Sequence, residues 1–252
     1  MTTVKNIYDY INSIAPFDTQ EEWDNAGFLI GDFRKEVKKA VLCLDVTKEV
    51  ARLAADVNAD LILSHHPIIF NGIKNVKKGS AVYTCIENDI AVISAHTNFD
   101  IADCGINFNL AERLKLNDVR QIEDTFITVG ELDNEMSIDD FAQYVSDTLN
   151  VSGIRYTDTE KPVKTVALGG GACEEYTEIA MQNADCFVTG DMKYHRMLEC
   201  AEEGYAVISA GHYETEHDSF LMFMDNLKRI FIDVEFIDSN QKNPACEAAY
   251  KA

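Results

Sequence analysis

Positive charge is scarce in this chain: 22 Lys and Arg stand against 43 Asp and Glu in 252 residues, a formal net charge of −21. A field of that sign repels phosphate backbones, which argues against non-specific nucleic-acid binding, and it attracts divalent cations. A plainer account is an acidic surface that keeps the protein solvated. Long hydrophobic runs are missing too, and none approaches the length needed to span a bilayer. Met1 to Pro16 carries an amphipathic pattern (Val4, Ile7, Tyr8, Ile11, Ile14) in place of the continuous apolar core of a secretory signal. The seven cysteines (43, 85, 104, 173, 186, 200, 246) include no C-x-x-C pair. An odd, scattered set with Cys43, Cys85 and Cys186 in or beside apolar runs reads as free thiols in a reducing compartment. The expected location is therefore cytoplasmic. No segment is of low complexity, and no linker is rich in proline or glycine.

What the chain does contain is a copy of itself. Lys39-Ala40-Val41 and Asn58-Ala59-Asp60 return 125 positions later as Lys164-Thr165-Val166 and Asn183-Ala184-Asp185. Ala91-Val92-Ile93-Ser94-Ala95 returns unchanged as Ala206-Val207-Ile208-Ser209-Ala210, 115 positions on. Each of these runs is followed by a ligand-like pair, His96-x-x-x-Asp100 and His212-x-x-x-Glu216. At 46% hydrophobic and 26% charged, the composition suits a soluble globular protein able to bury one large core or two smaller ones.

Short runs rich in Val, Ile and Leu (40–46, 61–64, 91–95, 166–168, 186–189, 206–210) lack polar alternation, as strands covered on both faces do. Segments with helical spacing lie between them: 48–57, 81–86, 174–181 and 194–201, with further helix candidates at 105–116, 137–149 and 220–230. Ser137 followed by Asp140 is a fair N-terminal cap. The alternation predicts an α/β protein of two similar halves from an internal duplication, each with a mostly parallel sheet. The boundary is expected near residue 125, giving a first half 1–125, joined by a closing strand at 230–238 that suits a sheet edge, and a second half 126–252. Residues 239–252 read as a weakly ordered tail.

All six histidines (65, 66, 96, 195, 212, 217) fall just beyond the apolar runs of the repeat, where open α/β sheets collect ligands. His65 and His66 follow a buried strand and precede Pro67, and adjacent side chains diverge, which suits two metals better than one. A hydrogen-bonded turn is the plainer account. His212 and Glu216, four apart at a helix start, converge on one side of a turn, where an acidic first turn is also favourable to the helix dipole. Asp100 adds a hard oxygen ligand beside imidazole, and His96 is read as either a ligand or a group that orients one. Asp191 and His195, four apart, are candidates for proton transfer or for holding substrate; helix capping would explain Asp191 equally well. His217 is expected on the surface. Gly169-Gly170-Gly171 follows a strand and could approach a phosphate, but lacks the Rossmann and P-loop spacings.

Assembled, these segments resemble the Nif-three-like family of dinuclear metal-centre proteins, whose members are often labelled type 2 GTP cyclohydrolase I homologues. The likeness runs through Glu22-Trp23-Asp24-Asn25-Ala26-Gly27, Leu44-Asp45-Val46-Thr47, Ser64-His65-His66-Pro67, His96-Thr97-Asn98-Phe99-Asp100, Thr189-Gly190-Asp191-Met192-Lys193-Tyr194-His195 and Gly211-His212-Tyr213-Glu214-Thr215-Glu216. The resemblance implies two intertwined three-layer α/β/α halves and a homohexameric toroid. It also implies two divalent metal ions per subunit (Zn, Fe, Mn or Co), with His65, His66, Asp100, His212 and Glu216 as ligands and Glu216 bridging. Longer members carry a domain between the halves that the repeat offset leaves no room for. The implied activity is metal-dependent hydrolysis, with the imidazole ring of a purine nucleotide such as GTP opened to release formate, and His195, Asp191 or His96 handling protons. Two rivals are a metal-dependent phosphoesterase on a nucleotide-type substrate and a non-catalytic metal-binding ring protein.

Overall fold

A computed structural model of the chain describes residues 1–151 and 153–245. The fold is mixed α/β with two sheets, and it divides into two compact units. One comprises 1–105 and 220–242; the other comprises 106–219 and the segment that begins at 243. Among the described residues, no helix is long and apolar enough to cross a membrane.

The first unit opens with α1 (Val4–Ile14), capped by a reciprocal pair of hydrogen bonds between Thr3 and Asn6. Then come β1 (Gly27–Ile30), β2 (Lys39–Cys43), α2 (Lys48–Asp56), β3 (Leu61–Ser64), α3 (Ala81–Glu87), β4 (Ala91–Ser94) and the single turn α4 (Thr97–Asp100). Thr47 and Ser80 cap α2 and α3 by accepting from Val50 and Tyr83 N–H, the side-chain oxygen taking one of the donors that a helix start leaves without a partner. Strands β2, β3 and β4 are parallel neighbours in register, Cys43 opposite Ser64 and Ser64 opposite Ser94. Val41, Cys43, Ile62 and Val92 face one cluster that takes in Val50, Ala51 and Ala54 of α2 and Cys85 of α3. The alternate residues Ala40, Leu42, Leu61, Leu63, Ala91 and Ile93 are buried too, which is why these strands read as unbroken apolar runs.

The second unit repeats that plan. Its elements are α5 (Ile106–Arg113), β5 (Asn117–Gln121), β6 (Thr128–Met136), α6 (Ile138–Leu149), β7 (Arg155–Tyr156), β8 (Val163–Gly169), α7 (Thr177–Asn183), β9 (Cys186–Thr189), α8 (Tyr194–Glu202), β10 (Ala206–Ser209) and the start of α9 (His212–Leu221). Ser137 caps α6 as its spacing predicts, accepting from Asp140 N–H at 3.2 Å. The parallel core β8-β9-β10 matches β2-β3-β4 strand for strand, and Thr189 lies opposite Ser209. Val166, Leu168, Cys186, Val188, Ala206 and Ile208 face a cluster shared with α5 and α6. Ala167, Phe187 and Val207 face another, shared with Ala180 of α7 and Cys200 of α8. Each sheet also gains an antiparallel strand beside its repeated A-V-I-S strand, β1 on β4 and β7 on β10. The second sheet further adds β6 on β8 and β5 on β6, both antiparallel. It is therefore not the mostly parallel sheet its apolar runs predict, because β5 and β6 are joined by their own hairpin rather than by a crossover helix.

After α9 come α10 (Phe223–Ile230) and β11 (Glu235–Asp238). The helix predicted as one piece from 220 to 230 is thus two, α9 starting earlier, at His212, and α10 following after Met222. Strand β11 pairs parallel with β2 at the edge of the first sheet, whose order is β1-β4-β3-β2-β11. The predicted tail lies from 246 onward outside the described residues.

The repeated Asn-Ala-Asp segment has a structural job. Asp60 accepts from Lys38 and Lys39 N–H at 2.8 and 3.1 Å. Its counterpart Asp185 accepts from Lys164 and Thr165 N–H at 3.1 and 2.8 Å. Each aspartate ties the entry of one parallel strand to the start of its neighbour.

Candidate metal centre

In the first unit the carboxyl ends of β3 and β4 deliver three imidazoles to one place. His65 and His66 leave β3 with their N–H groups bonded to the carbonyls of Cys43 and Leu44, at 3.2 and 2.9 Å. His96 follows β4 and begins α4. Ring centroids of His65 lie 5.0 Å from His66 and 5.1 Å from His96, and His66 lies 5.4 Å from His96. One ligand atom from each ring lies within 4.8 Å of the others.

Every ring is held through Nδ1. His65, fully buried, bonds the Ala95 carbonyl at 2.8 Å. His66 bonds Asp45 and His96 bonds Asp24, each at 2.8 Å. A carbonyl or an ionised carboxylate only accepts, so Nδ1 carries the hydrogen and Nε2 keeps its lone pair in the neutral ring. This is how proteins orient metal-ligating histidines. Asp100, at the end of α4, places Oδ1 3.6 Å from His65 Nε2.

The anchors are anchored in turn. Burial pushes the Asp24 carboxyl up, but hydrogen bonds from His96 and Thr97 outweigh it and hold the group down to about 2. Thr97 supplies both its N–H, at 3.1 Å, and its hydroxyl, at 2.5 Å. Gln241, beyond β11, accepts from Leu44 and Asp45 N–H and donates to Asp45 Oδ2 at 3.3 Å.

The second unit builds its own pair. His212 Nε2 lies 3.1 Å from Glu216 Oε2, and His212 Nδ1 bonds Asp191 Oδ2 at 2.8 Å. Glu216 is buried. Gly171, in the left-handed region at φ +63, makes room for it: a Cβ there would stand 2.0 Å from Glu216 Oε1 and 3.2 Å from His212 Nε2. The triple glycine therefore serves the carboxylate rather than a phosphate. Its amides are engaged within the protein, Gly170 N–H on Asn107 Oδ1 and Gly171 N–H on Thr215 Oγ1.

His65, His66 and His96 share one cluster, with Asp100 beside His65; His212 and Glu216 form a pair in the other unit. Asp191, expected to move protons or hold substrate, bonds His212. His195 is exposed in the first turn of α8, its ring 5.4 Å from Tyr194. No hydrogen bond or ion pair among the described residues ties His195 to His212 or Glu216. His217, expected on the surface, is buried because its ring stacks on Tyr213 at 4.4 Å and bonds Asp218 at 2.9 Å. Asp45 and Asp24 were given no role from the sequence. Asp45 has a positional signal, a carboxylate at the carboxyl end of a buried strand; Asp24 stands 72 residues from its imidazole and is marked only by its place in the Glu22–Gly27 segment of the resemblance.

The donor set suits a divalent cation. Imidazole nitrogens with fixed tautomers and nearby carboxylates are the ligand chemistry of Zn, Fe, Mn and Co.

Comparison with known proteins finds relatives over nearly the whole chain. The model of the family described as Duf34/NIF3 (NGG1p interacting factor 3) matches residues 2–244. A Clostridium perfringens protein named GTP cyclohydrolase 1 type 2 homolog is 32% identical, with 96% of this chain and 98% of that protein covered. A Helicobacter pylori protein named GTP cyclohydrolase 1 type 2 is 30% identical, with 97% and 98% covered. Among solved structures, a Staphylococcus aureus protein superposes with a TM-score of 0.89 at 26% identity, covering 98% of this chain and 99% of that one. A Bacillus cereus protein related to NIF3 shares the fold with a TM-score of 0.88 at 22% identity, covering 98% and 99%.

Proposed function

The chain belongs to the Duf34/NIF3 family, and from that premise we propose that it is a metal-dependent hydrolase of the GTP cyclohydrolase type. His65, His66, Asp100, His212 and Glu216 would hold two divalent cations. The observation that carries this reading is the shared fixing of His65, His66, His96 and His212 through Nδ1, which puts the lone pair of each neutral ring on Nε2. When bound, such a pair supplies Lewis acidity and a hydrolytic nucleophile at neutral pH.

The remaining roles fall to the chain's own groups. Asp24, Asp45 and Asp191 keep a proton on Nδ1 of His96, His66 and His212. His96 stands where it would be a further ligand or a proton carrier. His195, exposed in the first turn of α8, is the proposed donor to the departing nitrogen. The proposed substrate is GTP, whose five-membered ring is opened with release of formate, as the relatives' names suggest. The proposed assembly is a homohexamer. The proposed compartment is the cytoplasm, in keeping with six free cysteines among the described residues, five of them buried.

The test is metal analysis of the purified protein, followed by formate release from GTP with each candidate cation restored. Formate production lost in His65→Ala, and reduced in His195→Gln at unchanged metal content, supports the reading. Metal retention without formate rejects the substrate; inorganic phosphate released instead moves the assignment to a phosphoesterase.

A further inference from the structure

Beside the three imidazoles of the first unit stand two aromatic rings that the hydrolase reading leaves without work. Trp23 is 55% exposed and Phe70 44% exposed. Their centroids lie 5.8 Å apart at a tilt of 38°, so they do not close face to face. Both abut His96, Trp23 at 5.9 Å and Phe70 at 6.2 Å, each edge-on.

Neither ring sits on a loose loop. Trp23 precedes Asp24, whose carboxylate is fixed by His96 and Thr97, and Glu21 N–H is held by Thr97 Oγ1 at 3.0 Å. Phe70 follows Ile69, whose carbonyl accepts from Asn25 Nδ2 at 2.5 Å. Hydrogen bonds from flanking residues thus pin two large apolar surfaces in water, an arrangement that marks a binding surface.

The segment carrying Phe70 is basic, against the sign of the chain as a whole. Residues 65–86 include Lys74, Lys77 and Lys78 and no Asp or Glu, in a protein whose net charge is −21. All three lysines are exposed. A loop of that composition lowers the repulsion that the net charge of the protein sets against an anion.

We propose that Trp23 and Phe70 form a stacking platform for the planar heterocycle of a nucleotide, and that Lys74, Lys77 and Lys78 take its phosphates. Every nucleobase has a π-face, so aromatic rings hold one without hydrogen-bond readout, while clustered lysines supply salt-dependent affinity for the phosphates. This rests on the hydrolase reading for what happens to the ring, but recognition itself is measured without turnover.

Trp23 is the sole tryptophan of the chain, so its fluorescence reports on the platform alone. Chelator-treated protein is titrated with GTP, guanosine and inorganic tripolyphosphate, and variants are compared by equilibrium dialysis with GTP and guanosine. GTP and guanosine are expected to quench saturably, and tripolyphosphate to bind without comparable quenching. Phe70→Ala and Trp23→Leu are expected to weaken both GTP and guanosine about tenfold. The triple variant K74Q/K77Q/K78Q is expected to weaken GTP alone and to flatten its salt dependence. No saturable quenching overturns the proposal. So does a triple variant that holds GTP as the parent does, or a Phe70→Ala variant that alters oligomeric mass and leaves affinity unchanged. Metal content of the parent, measured in parallel before chelation, reports on the hydrolase reading separately: a parent that quenches but holds no metal keeps the platform and loses the hydrolase.

Discussion

An imidazole serves as a metal ligand only while one nitrogen keeps its lone pair, and Asp24, Asp45 and Asp191 each secure that by accepting a hydrogen bond from the N–H of the other. Removing such a partner lowers metal affinity by about 10–100-fold in known sites. Asp45→Ala and Asp191→Ala are accordingly expected to release metal to a competing chelator at roughly tenfold lower chelator concentration than the parent, with little change in far-ultraviolet circular dichroism. Gly171 sets a stricter condition. Its positive φ and the 2.0 Å approach of Glu216 Oε1 to any added Cβ leave no side chain a place. Gly171→Ala is expected to cost about 1–3 kcal/mol in urea unfolding and to displace Glu216 from His212. Much of this was legible beforehand, because histidines that follow buried strands announce a site by position alone. Asp24 was not, since its partner is supplied by folding across 72 residues and nothing near it in the chain hints at an imidazole.

The repeated strands and their clamps govern the elements. Burial works against charge on Asp185, but hydrogen bonds from Thr165 and Lys164 outweigh it and hold its carboxyl below the ordinary range. A carboxyl lowered on folding adds stability above its ordinary value near pH ~4, and that stability is lost as pH falls through the lowered one. Asp185→Asn is therefore expected to unfold more readily than the parent at neutral pH, by about 1 kcal/mol once exposure is discounted. The gap should close on acidification below pH ~4, as followed by denaturant titration at several pH values. Alternation of apolar runs with helical spacing made the two parallel cores readable, because strands buried on both faces lose the polar alternation of exposed ones. Strands β1 and β7 escaped notice because each is short and defined by its antiparallel partner rather than by its own residues. The break at Met222 between α9 and α10 was equally hidden, as the apolar spacing runs on across it.

For the molecule as a whole, a net charge of −21 means that folding concentrates like charge. Raising monovalent salt screens that repulsion, so the midpoint of thermal unfolding is expected to climb by about 2–4 °C for each ~1 kcal/mol recovered, read by calorimetry. Strand β11 carries another consequence. It covers the outer edge of β2, yet it follows every strand of the second unit in the chain, at residues 235–238. While a ribosome is still delivering the second unit, β2 waits with its backbone amides and carbonyls open to any other nascent chain. The finished protein owes its safety from such pairing to a few residues encoded after the whole second sheet. A version cut short before Glu235 is expected in the pellet rather than the supernatant after expression.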